Sequence, residues 1–141
     1  MIVLDTNVIS EIARSTPFPS VLAWARRQNP EEVFTTAICE AELLFGIALM
    51  PAGRRRDALA RALTITLTTI LSGRVLPFDR AAAQAYAELA ARRRRAGHTV
   101  GLADLQIAAI ALARGASAIA TRNVAHFQDC GVPIIDPWQA P

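Results

Sequence analysis

Lysine is absent from this sequence: all fifteen basic side chains are arginine. That absence excludes several classes of function. A P-loop needs a lysine on its phosphates, a Schiff-base enzyme needs a primary amine, and a receiver domain normally pairs its aspartate with a lysine. The formal net charge of +3 still favours a polyanionic partner if some of the acids are buried at a metal site.

Cysteine and histidine are also scarce. The two cysteines, Cys39 and Cys130, are too few for a disulfide scaffold or a four-thiolate zinc site, so we interpret them as buried small residues. With only His98 and His126, a histidine-rich zinc site is poorly supported. Any metal in this protein would be held mostly by oxygen.

Long hydrophobic runs are missing, although 52% of the residues are hydrophobic. The longest uncharged stretches, residues 62–73 and 43–53, are well short of the roughly 20 apolar residues that span a bilayer. The first residues lack the basic region of a secretory signal, and an acid interrupts them at position 5. We therefore expect a cytoplasmic protein whose residues 1–141 form a single domain.

Short apolar strands alternate with helical segments along the chain, which is typical of an α/β fold with a mostly parallel sheet. The predicted strands are residues 2–4, 33–36, 75–78, 117–120 and 132–135. The predicted helices are residues 6–14, 18–28, 37–50, 53–72, 80–96 and 102–114. This order predicts an α/β domain with about five strands.

Two of the predicted helices are unusually apolar, which indicates packing on more than one side. In the predicted helix 102–114, hydrophobic residues occupy every face, so Asp104 is hard to place in solvent. In the helix 37–50, Glu42 shares a stripe with Phe45 and Leu49. We therefore predict that Glu42 faces inward.

Three acids lie where an isolated charge would be costly. Asp5 ends the first strand, Glu42 lies in mid-helix, and Asp104 lies in the first turn of another helix. Buried carboxylates pair with a base, bind a metal or become neutral, and no lysine is available. Ligands of open α/β sheets bind outside the carboxyl ends of the strands, where Asp5 and Asp104 are expected. Carboxylates there suit Mg²⁺ or Mn²⁺ and imply hydrolysis of a phosphoester by metal-activated water.

Two of the three acids also have a competing structural interpretation. Asp5 can simply cap the next helix, and Asp104 can gain stability from the helix dipole. Glu42 has neither explanation, but Glu40 lies nearby, so spacing alone leaves open which of these two acids is functional. The start is similar to phosphatases of the haloacid dehalogenase type, which need a second aspartate two residues after Asp5. Asn7 occupies that place and disfavours a phosphatase.

Several sequence blocks occur together in a characteristic order. They are MIVLDTNVISE, TTAICEAELLFGIAL, GRVLPFD, ADLQIAAIALARG, AIATRNVAHF and VPIIDPW. In these blocks the chain resembles the PIN-domain ribonucleases, specifically the FitB-like branch of the VapC toxins. The resemblance implies a three-layer α/β/α sandwich and an Mg²⁺-dependent endoribonuclease, with Mn²⁺ as an alternative metal, that acts as the toxin of a toxin–antitoxin pair.

The resemblance also implies which residues form the site. Asp5, Glu42 and Asp104 match the family's catalytic, metal-binding acids, and Glu42 is selected over Glu40 because Gly46 follows it by four residues. The implied supporting residues are Thr6, Asn7, Thr121 and Asn123. The family further implies RNA as the substrate, a homodimer, and an antitoxin of the ribbon-helix-helix DNA-binding type.

The chain departs from the family at Asn123, where many relatives carry an aspartate. With three carboxylates we expect one divalent ion to bind well and a second only weakly. The loss of an acid also favours the alternative function, a non-catalytic PIN-like module that binds RNA or a protein. The three intact acids disfavour that alternative. His126, three positions later, is interpreted as incidental unless it faces the metal.

Two arginine runs, Arg54–Arg56 and Arg92–Arg95, are candidates to follow an RNA backbone. Charge runs at helix ends are more often solvated faces, so both interpretations stay open. The apolar segment 59–71 is similarly open: packing in the core is the default, and a subunit interface is the alternative.

Overall fold

A computed structural model describes residues 1–99 and 101–140, and its sheet confirms the predicted α/β class. The described strands are all parallel and lie in the order β3-β2-β1-β4-β5. They are β1 (Ile2–Leu4), β2 (Val33–Thr36), β3 (Val75–Leu76), β4 (Ala118–Ala120) and β5 (Ile134–Ile135). Strand β3 ends and β5 begins two residues inside the predicted limits. Pro77 and Pro133 flank these strands and lack the N–H that a sheet ladder needs.

Helices cover both faces of the sheet and complete the expected α/β/α sandwich. They are α1 (Thr6–Ile12), α2 (Pro19–Arg26), α3 (Ala37–Ala48), α4 (Arg54–Ile65), α5 (Arg80–Arg95), α6 (Leu102–Ala113) and α7 (Val124–Phe127). A 3₁₀ turn at Pro30–Glu32 and the short α7 were not predicted, because pieces this short carry no periodicity. No helix in the described part of the chain is long and apolar enough to cross a membrane.

The predicted helix 53–72 is not uniform. Helix α4 ends at Ile65, and a π-helical turn continues from Thr66 to Ile70. Around this junction the Thr64, Thr66 and Thr68 hydroxyls each donate to the carbonyl four residues earlier, at 2.7–2.9 Å. Such back-bonding often bends helices, which gives a physical reason for the change.

The core lies between the central strands and the helices. Val3 of β1 and Ile119 of β4 are fully buried, and the two free cysteines are buried as predicted. Helix α6 is also buried as predicted, with six of its residues in the core. The matching prediction for α3 was wrong. Glu42 is exposed, and Phe45 and Leu49 on its stripe are 65% and 69% exposed.

Strand order places a crevice at the carboxyl edge of the sheet. From β1 the chain moves to β2 on one side, whereas β4 pairs with β1 on the other side. This reversal is the switch point at which open α/β sheets bind ligands. Asp5 directly follows β1 and Thr121 directly follows β4. The Asp5 N–H donates to Ala120 O at 3.0 Å, which holds the two strand ends together.

Candidate active site

Asp5 is fixed by hydrogen bonds at the switch point. Its Oδ1 accepts from the Thr6 N–H at 2.7 Å. Its Oδ2 accepts from Thr121 Oγ1 at 2.6 Å and from Asn7 Nδ2 at 2.8 Å. Asp5 is also the N-cap residue of α1. Capping that helix is therefore one role of this carboxylate, and it is compatible with metal binding. The carboxylate is therefore held in one orientation before any ligand binds.

The environment of Asp5 opposes its negative charge. The residue is 3% exposed, and this burial raises the pKa of its carboxyl above the usual 3.8. Hydrogen bonds from Thr121 and Thr6 act against that rise, whereas the nearby charges of Asp104 and Glu42 add to it. A bound cation would relieve both the burial cost and the repulsion.

Glu42 approaches the same place from α3. Thr36 caps that helix through a hydrogen bond that its hydroxyl accepts from the Cys39 N–H at 3.2 Å. Because α3 starts directly after β2, its first turns lie at the carboxyl edge of the sheet. Thr6 Oγ1 donates to Glu42 Oε2 at 2.5 Å. Thr6 thus links the two acids: its backbone N–H donates to Asp5 and its side-chain hydroxyl donates to Glu42.

Asp104 enters from the first turn of α6, and its side chain is 21% exposed. Its Oδ2 lies 2.9 Å from Nδ1 of His126, so His126 contacts one of the candidate metal-binding acids. A Cβ at Gly101 would lie 3.3 Å from the same Oδ2, which shows how closely the carboxylate approaches the helix start. The only sign of this contact in the sequence was the position of His126, three residues after Asn123, which precedes α7.

The supporting residues expected from the resemblance surround these acids. Thr121 accepts from the Asn123 N–H at 3.0 Å and from Asn7 Nδ2 at 3.2 Å while it donates to Asp5. Asn7 Oδ1 in turn accepts from the Arg122 N–H at 3.1 Å. The first turn of α1 is thereby tied to the segment after β4.

One pocket of about 340 Å³ receives all three acids. Its lining comprises Asp5, Thr6, Asn7, Ser10, Glu42, Leu43, Asp104 and Asn123. Glu40 is not among them, which agrees with the choice of Glu42. Sequence reasoning missed Ser10 of α1, which lies one helical turn after Thr6 and so reaches the same side.

Oxygen dominates this lining, and the donor chemistry fits a hard divalent cation. In residues 1–99 and 101–140, however, no three His, Cys, Asp or Glu side chains already form a metal-binding group. Of the acids in the pocket, Glu42 is exposed, whereas Asp5 is buried and held by three hydrogen bonds.

The two arginine runs differ in their surroundings. Arg54 and Arg55 are exposed at the start of α4. In the other run Arg93 is only 6% exposed and donates to the carbonyls of His126 and Gln128. Arg93 is therefore unavailable to an RNA backbone, which removes it from the candidates in this run.

The chain is similar to named proteins along nearly its whole length. Residues 2–130 match the PIN domain family. The chain is 47% identical to VapC ribonuclease Y4jK of Sinorhizobium fredii, with 99% of each chain covered. It is 37% identical to Toxin FitB of Neisseria gonorrhoeae, covering 98% of this chain and 99% of that protein.

A solved structure of FitAB bound to an IR36 DNA fragment has the same fold. One chain of that complex matches with a TM-score of 0.90 and 35% identity, covering 100% of this chain and 98% of the other. The strand order and the sequence likeness agree with one another. The chain belongs to the PIN-domain family, among its VapC- and FitB-like toxins.

Proposed function

We propose that the protein is an Mg²⁺-dependent endoribonuclease, able to use Mn²⁺, that hydrolyses RNA phosphodiester bonds as the toxin of a toxin–antitoxin pair. One observation carries the proposal. Buried Asp5, whose pKa is raised by burial, opens onto the same pocket as Glu42 and Asp104. A cluster of acids at the switch point of a parallel sheet, with no lysine in the chain, suits a divalent cation and a phosphoester.

Asp5 and Asp104 would hold the cation, and Glu42 would bind it directly or through water. The bound cation would lower the pKa of a water molecule and neutralise charge on the phosphate oxygens. Hydrolysis forms a bond between the water oxygen and phosphorus and breaks the bond to the 3′ oxygen. The products are a 5′-phosphate and a 3′-hydroxyl.

The chain's own residues orient the acids for this reaction. Thr121 and Asn7 fix Asp5 from two sides, Thr6 holds Glu42, and His126 holds Asp104. Orientation matters because small misplacements of catalytic groups reduce rates strongly. Asn123 adds no negative charge to the lining, which favours tight binding of one cation and weak binding of a second.

An antitoxin and a second copy of the chain are the proposed partners. The similar chain in the FitAB structure belongs to a complex bound to DNA, which supports pairing with an antitoxin. The ribbon-helix-helix type of that antitoxin rests on the family resemblance alone. The exposed apolar side chains of α3, Phe45 and Leu49, support burial of that face against another subunit. The homodimer is therefore proposed to use α3. We place this assembly in the cytoplasm.

Purified protein and single-stranded RNA test the enzymatic proposal. We expect cleavage with Mg²⁺, none with EDTA, and 5′-phosphate ends on the products. Asp5→Asn, Glu42→Gln and Asp104→Asn are expected to lose activity, whereas Glu40→Gln, an acid on the same helix outside the pocket, should keep it. Metal-independent cleavage, or full activity of Asp5→Asn, would overturn the proposal. RNA binding without cleavage would instead support the non-catalytic alternative.

A further inference from the structure

Arg93 is a buried cation with no ionic partner in residues 1–99 and 101–140. In the described part of the chain no carboxylate forms a salt bridge with it, and its buried Nε has no hydrogen-bond partner there. A buried charge costs free energy unless it is well paired, and an apolar side chain of similar volume is often cheaper. Core stability alone therefore does not account for an arginine at this position.

The hydrogen bonds of the Arg93 guanidinium to the described residues both go to the end of α7. Its Nη1 donates to His126 O at 2.9 Å, and its Nη2 donates to Gln128 O. The neighbouring Arg92 donates from Nη2 to Asp129 O at 2.7 Å. Arg92 and Arg93 together join the end of α5 to residues 126–129. We call this pair of guanidinium groups the clamp.

Helix α7 depends on contacts of this kind. With four residues it is too short to be stable alone, and the carbonyls at its end have no partners within the helix. Phe127, which is fully buried, anchors one side of α7 in the core. The clamp occupies the carbonyls of His126 and Gln128 and so fixes the rotation of α7 about that anchor.

The rotation of α7 determines where the His126 ring lies. That ring is 55% exposed, and its Nδ1 contacts Asp104 Oδ2. We propose that Arg93 is a positioning residue: it holds α7 so that His126 orients the Asp104 carboxylate toward the pocket. The catalytic consequence rests on the proposed function, whereas the structural linkage from Arg93 through His126 to Asp104 does not.

Imidazole NMR tests the linkage without RNA or metal. The chain has only two histidines, so a tag-free sample with ¹⁵N-labelled rings gives two spin systems, and His98→Gln identifies that of His126. Because a carboxylate accepts, Nδ1 of His126 should carry the proton in the wild type. We expect Arg93→Met and Arg93→Lys to shift or broaden this signal as Asp104→Asn does. Arg94→Gln, an exposed neighbour in the same run, should leave it unchanged.

Kinetics then separate positioning from general stabilisation. At a temperature where both proteins are folded, Arg93→Lys should lower kcat by about 10-fold, as loss of an outer partner of a metal ligand typically does, with little change in KM. In a His126→Ala background the same substitution should have no further effect on kcat. If Arg93→Met fails to fold, Arg93→Lys retains the charge and gives the answer.

The outcomes distinguish this proposal from the proposed function. Unchanged His126 signals in a folded Arg93 variant would overturn the linkage, whatever the RNA assay shows. Equal losses of kcat with and without His126 would overturn it as well, since Arg93 would then act by another route. A wild-type protein that does not cleave RNA would refute the proposed function, while the NMR comparison would still decide the linkage.

Discussion

Asp5 and Glu42 line the same pocket but are held very differently. Asp5 is buried and accepts three hydrogen bonds, from Thr6, Thr121 and Asn7. Glu42 is exposed and accepts a hydrogen bond from the Thr6 hydroxyl. The difference indicates a site with one rigid side and one adjustable side. In the proposed function, Asp5 would define where a cation binds, and Glu42 would adjust to it.

Removing each acid in turn tests this division most strongly. Asp5→Asn should lower kcat/KM for RNA by more than about 100-fold, beyond the 10- to 100-fold typical of residues outside the ligand shell. Glu42→Gln should cost about 10- to 100-fold, because an amide oxygen or a water can partly replace its role. Cleavage rates at saturating Mg²⁺ measure both. Equal losses would remove the distinction between the two sides.

The threonines that support the two acids offer a finer comparison. Thr121→Val removes a buried partner of Asp5 and should lower activity by about 10-fold. Thr6→Val removes an exposed contact to Glu42 and should cost only about 2- to 3-fold, as expected for a weak net hydrogen bond. Both substitutions nearly conserve volume. A larger loss in Thr6→Val would show that Glu42 needs fixing as much as Asp5 does.

The pH dependence of stability gives the smallest effect. Because the pKa of folded Asp5 is raised above its usual 3.8, the native state holds its proton where the unfolded state has lost it. The stability of metal-free protein should then fall as pH rises from about 3.8 through the folded pKa. Thermal melts in EDTA should show this slope in the wild type and a flatter one in Asp5→Asn, and Mg²⁺ should reduce the wild-type slope. A wild-type slope identical to that of the variant would contradict the burial argument.

Asp79 provides a reference for the opposite sign. Its pKa is lowered, first by the hydrogen bond that it accepts from the Ala82 N–H at the start of α5 and further by the charge of Arg114. Its contribution to stability is present above 3.8 and is lost as pH falls below that value. The two aspartates therefore act in different pH windows, which keeps the Asp5 slope measurable.

Sequence patterns gave the sheet correctly because central parallel strands are continuous apolar runs that few other elements imitate. They failed for α3. Phe45 and Leu49 have the spacing of a buried helix, yet both are exposed. Periodicity shows that a face is apolar, and it does not show whether that face meets the chain's own core or another molecule. Helix α6, with an equally apolar sequence, is buried.

The candidate site was predictable in part for a similar reason. Asp5 and Asp104 follow from the general rule that strand ends and helix starts meet at one edge of the sheet. The contacts of His126 and Arg93 were not predicted because they depend on α7, a helix of four residues that is too short to show a periodic pattern. The arginine run 92–95 also combines exposed and buried side chains, so its composition says nothing about which of them meets solvent.

The central claim is that Asp5, Glu42 and Asp104 together bind one divalent cation. Isothermal titration of Mn²⁺ or Mg²⁺ into metal-free protein, without RNA, tests it most directly. We predict saturable binding with a stoichiometry near one cation per chain, lost in Asp5→Asn and retained in Glu40→Gln. Binding of equal strength in wild type and Asp5→Asn, or no saturable binding in the wild type, would contradict the account.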